Sequence, residues 1–259
     1  MPLDVRNLTI SLTSGEKMVD NISFSIAKGE MLSIVGSSGA GKTTVCRTVM
    51  GLLDTNYIIQ GRVDYSGENL LALAKGRLQK IYGKEVCYIL QNPMTAFNPS
   101  VRIGKQLEKT YLKHNDDISK TEIFTQVEPI LRRLGMEDTK RIWKSYPFAL
   151  SGGMLQRVMI AAALMNSPRL LIADEVTTAI DACNRMGLMK ELRKLCDEGM
   201  SVLFVTHDLR SAANSNQILI MNHGKMVEYG STQKIMESPK EDYTKYLLGA
   251  CRLERRERA

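Results

Sequence analysis

The 259-residue sequence has no apolar run long enough to cross a bilayer. A spanning helix needs about 18 or more consecutive apolar residues, and the longest candidate, Val158 to Met165, is about half that. The opening MPLDVRNLTI lacks the basic stretch followed by an apolar one that marks a secretory signal. The expectation is a cytoplasmic protein, with any membrane part of its work supplied by another polypeptide. Cysteine is sparse. Cys46, Cys87, Cys183, Cys196 and Cys251 are scattered, odd in number and without CxxC spacing. This speaks against a metal or iron–sulfur centre and for buried or incidental thiols. No internal repeat and no low-complexity linker is present. Aromatics make up only 6% of the residues, and the stretch from Thr9 to Ser23 holds none.

What is there is ordinary for a globular chain. The 44% hydrophobic and 24% charged fractions exclude disorder, collagen and coiled coil as descriptions of the whole. The length suits one large α/β domain or two small ones. The 35 basic residues against 28 acidic give a net charge of +7. That balance fits a nucleic-acid, nucleotide or anionic-membrane partner, and equally an ordinary solubility charge. Part of it lies in the tail RLERRERA, where Glu254 and Glu257 alternate with arginines as in a solvated helix end.

Three short apolar runs, 31–36, 169–174 and 201–207, read as buried parallel strands. Each leads through a polar or glycine-containing segment into a helical pattern, which predicts an α/β fold with a parallel sheet covered on both faces. Segments around Leu3–Leu12, Asn21–Ile26 and Gly61–Tyr65 read as antiparallel strands. From about 100 to 150 the apolar spacing is helical (Val127, Ile130, Leu131, Leu134), an insertion within the α/β core. The segment DYTKYLLGACRL reads as a terminal amphipathic helix. Ligands of open α/β sheets bind beyond the carboxyl ends of the strands, so the polar residues there are the first candidates for chemistry.

After the first of these strands comes GSSGAGKT: Gly36, Ser37, Ser38, Gly39, Ala40, Gly41, Lys42 and Thr43, followed by Thr44. It fits GxxxxGK[ST], the phosphate-binding loop. Its glycines let the backbone curl around phosphate oxygens, and the next helix aims its positive end at the same place. Lys42 supplies a charge for the β- and γ-phosphates, and Thr43 a hydroxyl for Mg²⁺. The second strand ends in two carboxylates, Asp174 and Glu175. Asp174 suits a Mg²⁺-anchoring role through water, and Glu175 a general base for an attacking water. A pair of acids capping a helix start would look the same, but hydrolysis needs both a cradle and a base. The third strand ends at His207, whose imidazole is a candidate for the γ-phosphate and the water. His114 and His223 have no such setting. In LSGGMLQR, Ser151, Gly152 and Gly153 open a second helix whose N-terminus suits a phosphate, although a plain helix cap has the same composition.

Together these residues resemble one family, the ATP-binding cassette (ABC) ATPases. GSSGAGKT is similar to its phosphate loop, LSGGM to its signature, LLIADE to its Walker-B strand, and His207 to its switch histidine. Gln91 in YILQNPMTAFNP matches its Q-loop glutamine, and AID (179–181) its D-loop. The resemblance covers nearly the whole chain. It implies a P-loop NTPase (RecA-like) core with an antiparallel β part and an inserted helical subdomain. The whole of 1–259 is then one ATP-binding domain, with 1–91 and 158–259 forming the core and about 92–157 the helical subdomain bearing the signature. It implies ATP and Mg²⁺ as cofactors, with Glu175, His207 and Gln91 catalytic and Thr43, Gln91 and Asp174 around the metal.

QNPMTAFNP, YPFALSGGMLQR and SPKEDYTKYLL resemble the ATPases of oligopeptide and nickel importers, and the nickel type most. Without the cysteine-bearing C-terminal extension of some peptide-importer members, the sequence is expected to be one of the shorter, nickel-type subunits. The resemblance implies a peripheral protein on the cytoplasmic face of the membrane. Its partners would be two membrane permease subunits and a second ATPase, identical or related, with a solute-binding protein involved indirectly and no nucleic acid. ATP at Gly36–Thr44 of one subunit would be closed over by Ser151–Gly153 of the other. Nickel, another metal chelate and peptide remain open as cargo.

The sequence departs from the family pattern at three places. The aromatic expected ahead of the phosphate loop to stack on adenine is missing, leaving Leu12, Met18 or Val19 as apolar substitutes. Val176 replaces the usual proline after the two acids, and Met154 the last glutamine of the signature. A soluble ABC-type ATPase acting on nucleic acid is the competing reading. The short segment between Gln91 and Ser151 and the single cassette speak against it. A nucleotide-binding regulatory module without turnover is a third, and Glu175 speaks against that.

Overall fold

The computed structural model describes residues 2–115, 118–176 and 182–256. The D-loop match at 179–181 lies outside the described residues. The chain opens with two long strands, β1 (Leu3–Leu12) and β2 (Lys17–Ile26), then β3 (Met31–Val35), α1 (Lys42–Val49), β4 (Tyr57–Tyr65) and β5 (Glu68–Asn69). Next come α2 (Lys75–Ile81), β6 (Val86–Ile89) and five helices: α3 (Pro93–Ala96), α4 (Ile103–Leu112), α5 (Lys120–Arg133), α6 (Thr139–Lys144) and α7 (Gly152–Leu164). The remainder alternates, with β7 (Leu170–Asp174), α8 (Ala182–Asp197), β8 (Ser201–Thr206), α9 (Leu209–Ala212), β9 (Gln217–Asn222), β10 (Lys225–Ser231), α10 (Thr232–Glu237) and α11 (Asp242–Arg256). No helix among the described residues is long and apolar enough to cross a membrane.

The described strands form one sheet in the order β5-β4-β1-β2-β10-β9-β3-β8-β7-β6. The run β9-β3-β8-β7-β6 is parallel throughout, and β4, β1 and β2 pair antiparallel. Every residue of β3, β7 and β8 is buried, as their unbroken apolar character predicts. The parallel set also includes β6 and β9. VCYI is only four residues long, and QILIMN carries polar residues at both ends, so neither stands out as a continuous apolar run.

Alternate residues along β7 and β8 face opposite ways, as the two-residue period of a strand requires. Leu171, Ala173, Val202 and Phe204 join the core formed with α4, α5, α7 and α8. Leu170, Ile172, Leu203 and Val205 join the core shared with α1 and the antiparallel strands. The inserted helices thus build on one face of the sheet. Within them Ile103, Leu107, Ile123, Val127, Leu131 and Ile142 are buried, at the helical spacing seen in the sequence. Helix α5 starts at a reciprocal capping box between Ser119 and Glu122, which satisfies two otherwise unpaired backbone N–H groups. A third cluster beneath α9, α10 and α11 holds Val35, Leu209, Ile220, Ile235 and Leu248.

Candidate nucleotide site

Register brings the chemistry to one edge. Val35 lies opposite Thr206, Asp174 opposite Val205 and Ile89 opposite Ala173. The loops that follow β3, β6, β7 and β8 therefore emerge side by side at the carboxyl ends of parallel strands. Asp174 closes β7, and Gln91, Glu175, His207 and the loop 36–44 follow the strand ends.

The loop is held in shape by close backbone packing. A Cβ on Gly36 would come within 2.2 Å of the Met221 carbonyl oxygen, and one on Gly41 within 2.8 Å of the Met18 carbonyl oxygen. Gly41 also has φ of 92° and begins α1 with no side-chain cap, leaving the first-turn N–H groups without intrahelical partners. Lys42 is only 4% exposed. Its Nζ donates to the carbonyls of Gly36 at 2.9 Å and Ser37 at 2.8 Å. Burial pulls its pKa below the ordinary lysine value, and the nearby carboxylates of Glu175 and Asp174 oppose that shift. A cleft of about 170 Å³ opens here, lined by Met18, Ser38, Gly39, Ala40, Gly41, Lys42, Thr43, Thr44, Gln91 and Glu175.

The two acids have different surroundings. Asp174 is 1% exposed. Its Oδ1 accepts from the Thr43 hydroxyl at 3.2 Å, and its Oδ2 from the Tyr88 hydroxyl at 2.8 Å. Burial raises its pKa above the usual carboxylate value, and the two hydroxyl donors pull it back down. Glu175 has φ of 49°, the left-handed region that a non-glycine residue enters only under constraint. Its N–H donates to the Val205 carbonyl at 2.9 Å, and Val176 is buried in the core behind it. Where the sequence lacks the expected proline, packing and this hydrogen bond fix the turn. Glu175 Oε2 accepts from Gln91 Nε2 at 2.7 Å. Its Oε1 lies 3.7 Å from Lys42 Nζ and 3.8 Å from His207 Nδ1. Gln91, Lys42 and His207 thus converge on one carboxylate.

Ser151, Gly152 and Gly153 do not line this cleft. They begin α7, where the Ser151 hydroxyl accepts from the Met154 N–H at 3.3 Å. Two further residues belong to the neighbourhood. Tyr88 holds Asp174, and Met18 forms part of the cleft wall. A polar aromatic at an inward position of the strand preceding Gln91 was the available signal for Tyr88. Burial pushes the Cys87 thiol up to about 12 and the Cys196 thiol to about 11, so neither is a ready thiolate.

A glycine-rich loop with a buried lysine, opening a helix beside a carboxylate pair, defines a P-loop nucleotide-binding protein. The ABC transporter family model matches residues 19–178. The chain is 36% identical over 251 residues to a metal-staphylopine import system ATP-binding protein of Staphylococcus aureus, covering 95% of this chain and 92% of that protein. It is 38% identical over 252 residues to a dipeptide transport ATP-binding protein of Lactococcus lactis, covering 95% and 72% respectively. It also matches a dimeric ATP-binding cassette solved with ADP and Pi, at a TM-score of 0.80, 27% identity and coverage of 89% of this chain and 98% of that one. The chain belongs to the ABC transporter family, as an ATP-hydrolysing subunit of the importer branch.

Proposed function

We propose that this protein binds Mg-ATP between two cassette subunits and uses its hydrolysis to drive uptake of nickel, a related metal chelate or a peptide through a separate membrane permease. The observation that carries the mechanism is the convergence of Gln91, Lys42 and His207 on Glu175, at the mouth of the phosphate-loop cleft. The loop 36–44 and the N-terminus of α1 hold the triphosphate. Lys42 turns from its loop carbonyls toward the β- and γ-phosphates. Glu175 accepts the proton of the attacking water, and Gln91 and His207 orient that water and the γ-phosphate. The division into an α/β core and a helical part at about 92–157 then separates the phosphate loop from the signature end of α7, which closes on the partner's nucleotide.

The donors suit magnesium. A buried carboxylate beside a threonine hydroxyl offers hard oxygen atoms, and the described residues contain no cluster of three or more His, Cys, Asp or Glu able to enclose a metal. Mg²⁺ takes few protein ligands and completes its shell with phosphate and water. Thr43 and Asp174 would hold it, with Gln91 at its edge, and it would neutralise charge on the phosphates.

A groove of about 320 Å³ beside the Gln91 loop, lined in part by Leu52, Leu90, Phe97, Leu107 and Met159, supports a permease contact. Leu52 and Leu90 are exposed there. The likeness of AFNP and YPFALSGGMLQR to nickel-importer ATPases favours nickel, and the metal-staphylopine and dipeptide importers among the relatives keep chelates and peptides in view. The test is phosphate release from Mg-ATP by the purified protein and by Lys42→Ala, followed by uptake of nickel, a nickel chelate or a dipeptide into vesicles carrying the co-purified permease. Turnover lost in Lys42→Ala and ATP-dependent uptake of one cargo support the reading. Normal nucleotide affinity in Lys42→Ala removes the phosphate-loop role.

A further inference from the structure

The nucleotide cleft offers a base little to stack on. Ahead of the phosphate loop its lining is Met18, whose carbonyl oxygen packs against Gly41. Val19 is fully buried in the core and is not available. An aromatic surface is present elsewhere. Phe148 is 70% exposed and lies on the short turn Pro147–Ala149, three residues before Ser151. Its ring is nearly parallel to that of Tyr146, with centroids 5.5 Å apart and planes 7° apart. The Arg102 guanidinium lies 5.6 Å from the centre of the Tyr146 ring.

This arrangement is rigid. Pro147 and Leu150 are buried on either side of Phe148. The Ala149 N–H donates to the Tyr146 carbonyl at 3.0 Å, and the Ile103 N–H to the Ser145 carbonyl at 2.9 Å. An exposed phenylalanine fixed in this way gains by covering its ring with another flat apolar surface.

The adjoining glycines show from which side that cover comes. A Cβ on Gly152 or Gly153 would meet nothing within 4 Å, and both lie in the first turn of α7, where glycine is a weaker helix former than alanine. The chain's own packing gives no reason for them. A bare backbone here suits close approach by a group from outside the chain. Phe148 is at most about 10 Å along the chain from Ser151, so a group seated at the α7 N-terminus lies within a nucleotide's length of it.

We propose that Phe148, backed by Tyr146, is the stacking platform for the purine base of the nucleotide held by the subunit across the interface. The inference rests on the reading that α7 closes on a partner's triphosphate. It places the base contact missing beside one phosphate loop on the opposing subunit. The base is then gripped only once the two subunits meet, which couples base recognition to closure. A flat aromatic contact has little power to tell one purine from another, so ATP and GTP are accepted nearly alike.

The test uses the purified full chain carrying Glu175→Gln, incubated with Mg²⁺ and 2-azido-ATP, irradiated and mapped by peptide mass spectrometry. Label on the segment 146–148, in an ATP-dependent dimer, is the expected result. A dimer labelled instead at 12–18 overturns this inference and leaves the two-subunit reading standing. No ATP-dependent dimer at all overturns both. In the hydrolysis-competent protein, Phe148→Ala raises KM for ATP roughly five- to 150-fold, the size of a lost base–aromatic stack. Inhibition by tripolyphosphate, which has no base, is unchanged, and Phe148→Tyr restores KM. An unchanged KM in Phe148→Ala, or equal weakening of tripolyphosphate, overturns the platform.

Discussion

Gln91 donates from Nε2 to Glu175 Oε2 at 2.7 Å, joining the segment after β6 to the turn after β7. Both strands are neighbours in the parallel sheet, paired through Ile89 and Ala173. The other oxygen of Glu175 faces Lys42 and His207. Before nucleotide enters, the proposed base therefore accepts a hydrogen bond at Oε2 and has Lys42 and His207 near Oε1, at 3.7 and 3.8 Å. A water to be activated displaces Gln91 at Oε2 or enters beside Oε1, and phosphate must draw Lys42 from the Gly36 and Ser37 carbonyls.

Replacing Glu175 with Gln removes the proposed acceptor for the water's proton while keeping the shape of the side chain. Phosphate release should fall by about 10²–10⁴, the usual contribution of a positioned base, with nucleotide affinity retained. Phosphate-release kinetics and equilibrium binding of a fluorescent ATP analogue measure the two effects. Unchanged turnover would remove Glu175 as the base.

The change Gln91→Glu places a second carboxyl group at hydrogen-bond distance from Glu175. Two carboxylates that close cannot both ionise easily, so the pair keeps a proton to higher pH than a lone glutamate does. Turnover at neutral pH should drop and recover as pH rises, with the acid limb of the pH–rate profile moved upward. A profile that keeps its wild-type midpoint would show that the contact does not reach the base.

Tyr88→Phe deletes the hydroxyl that donates to Asp174 Oδ2. That bond favours the ionised carboxylate, and burial opposes it, so its loss moves the Asp174 pKa further up. The acid limb of activity should shift to higher pH, and more Mg²⁺ should be needed for half-maximal nucleotide binding. Stability should fall by about 1.5–3 kcal/mol, the range for a hydrogen bond to a charged group. Urea denaturation reads the stability, and Mg²⁺ titration of binding reads the site. A metal requirement left unchanged would mean that Tyr88 serves packing alone.

Gly36→Ala puts a methyl group 2.2 Å from the Met221 carbonyl oxygen. The end of β9 or the loop itself must move. A backbone-to-backbone clash of this kind has no flexible side chain to absorb it, and overpacking costs about 1–3 kcal/mol. Thermal unfolding should show that loss, accompanied by weakened ATP binding. Gly152→Ala serves as the contrast: its Cβ meets nothing within 4 Å and, alanine being the better helix former, it should keep or slightly raise the melting temperature while impairing turnover. Equal effects of the two changes on stability would contradict this distinction.

Much of this was legible in the order of residue types. The phosphate loop needs a fixed glycine–lysine–threonine spacing, and the acids of the second strand and His207 directly follow apolar runs. Local sequence therefore announced Lys42, Thr43, Asp174, Glu175 and His207 without reference to packing. The strands β6 and β9 were hidden because their burial comes from neighbours in the sheet rather than from a long apolar run. Tyr88 was hidden for the same reason. A tyrosine in VCYI marks a polar group on the strand, but only the pairing of β6 with β7 brings its hydroxyl to a carboxylate.

The sequence by itself determined which side chains are available for phosphate and proton chemistry, since those requirements are written in residue type and short-range spacing. Only the tertiary structure decided how they meet. Parallel pairing in a particular register set Gln91 against Glu175 and Tyr88 against Asp174, and folded Lys42 back onto its own loop. It also left Phe148 standing in the open beside the α7 N-terminus. Such contacts join residues far apart in the chain and are fixed by strand order and core packing, which no local pattern encodes.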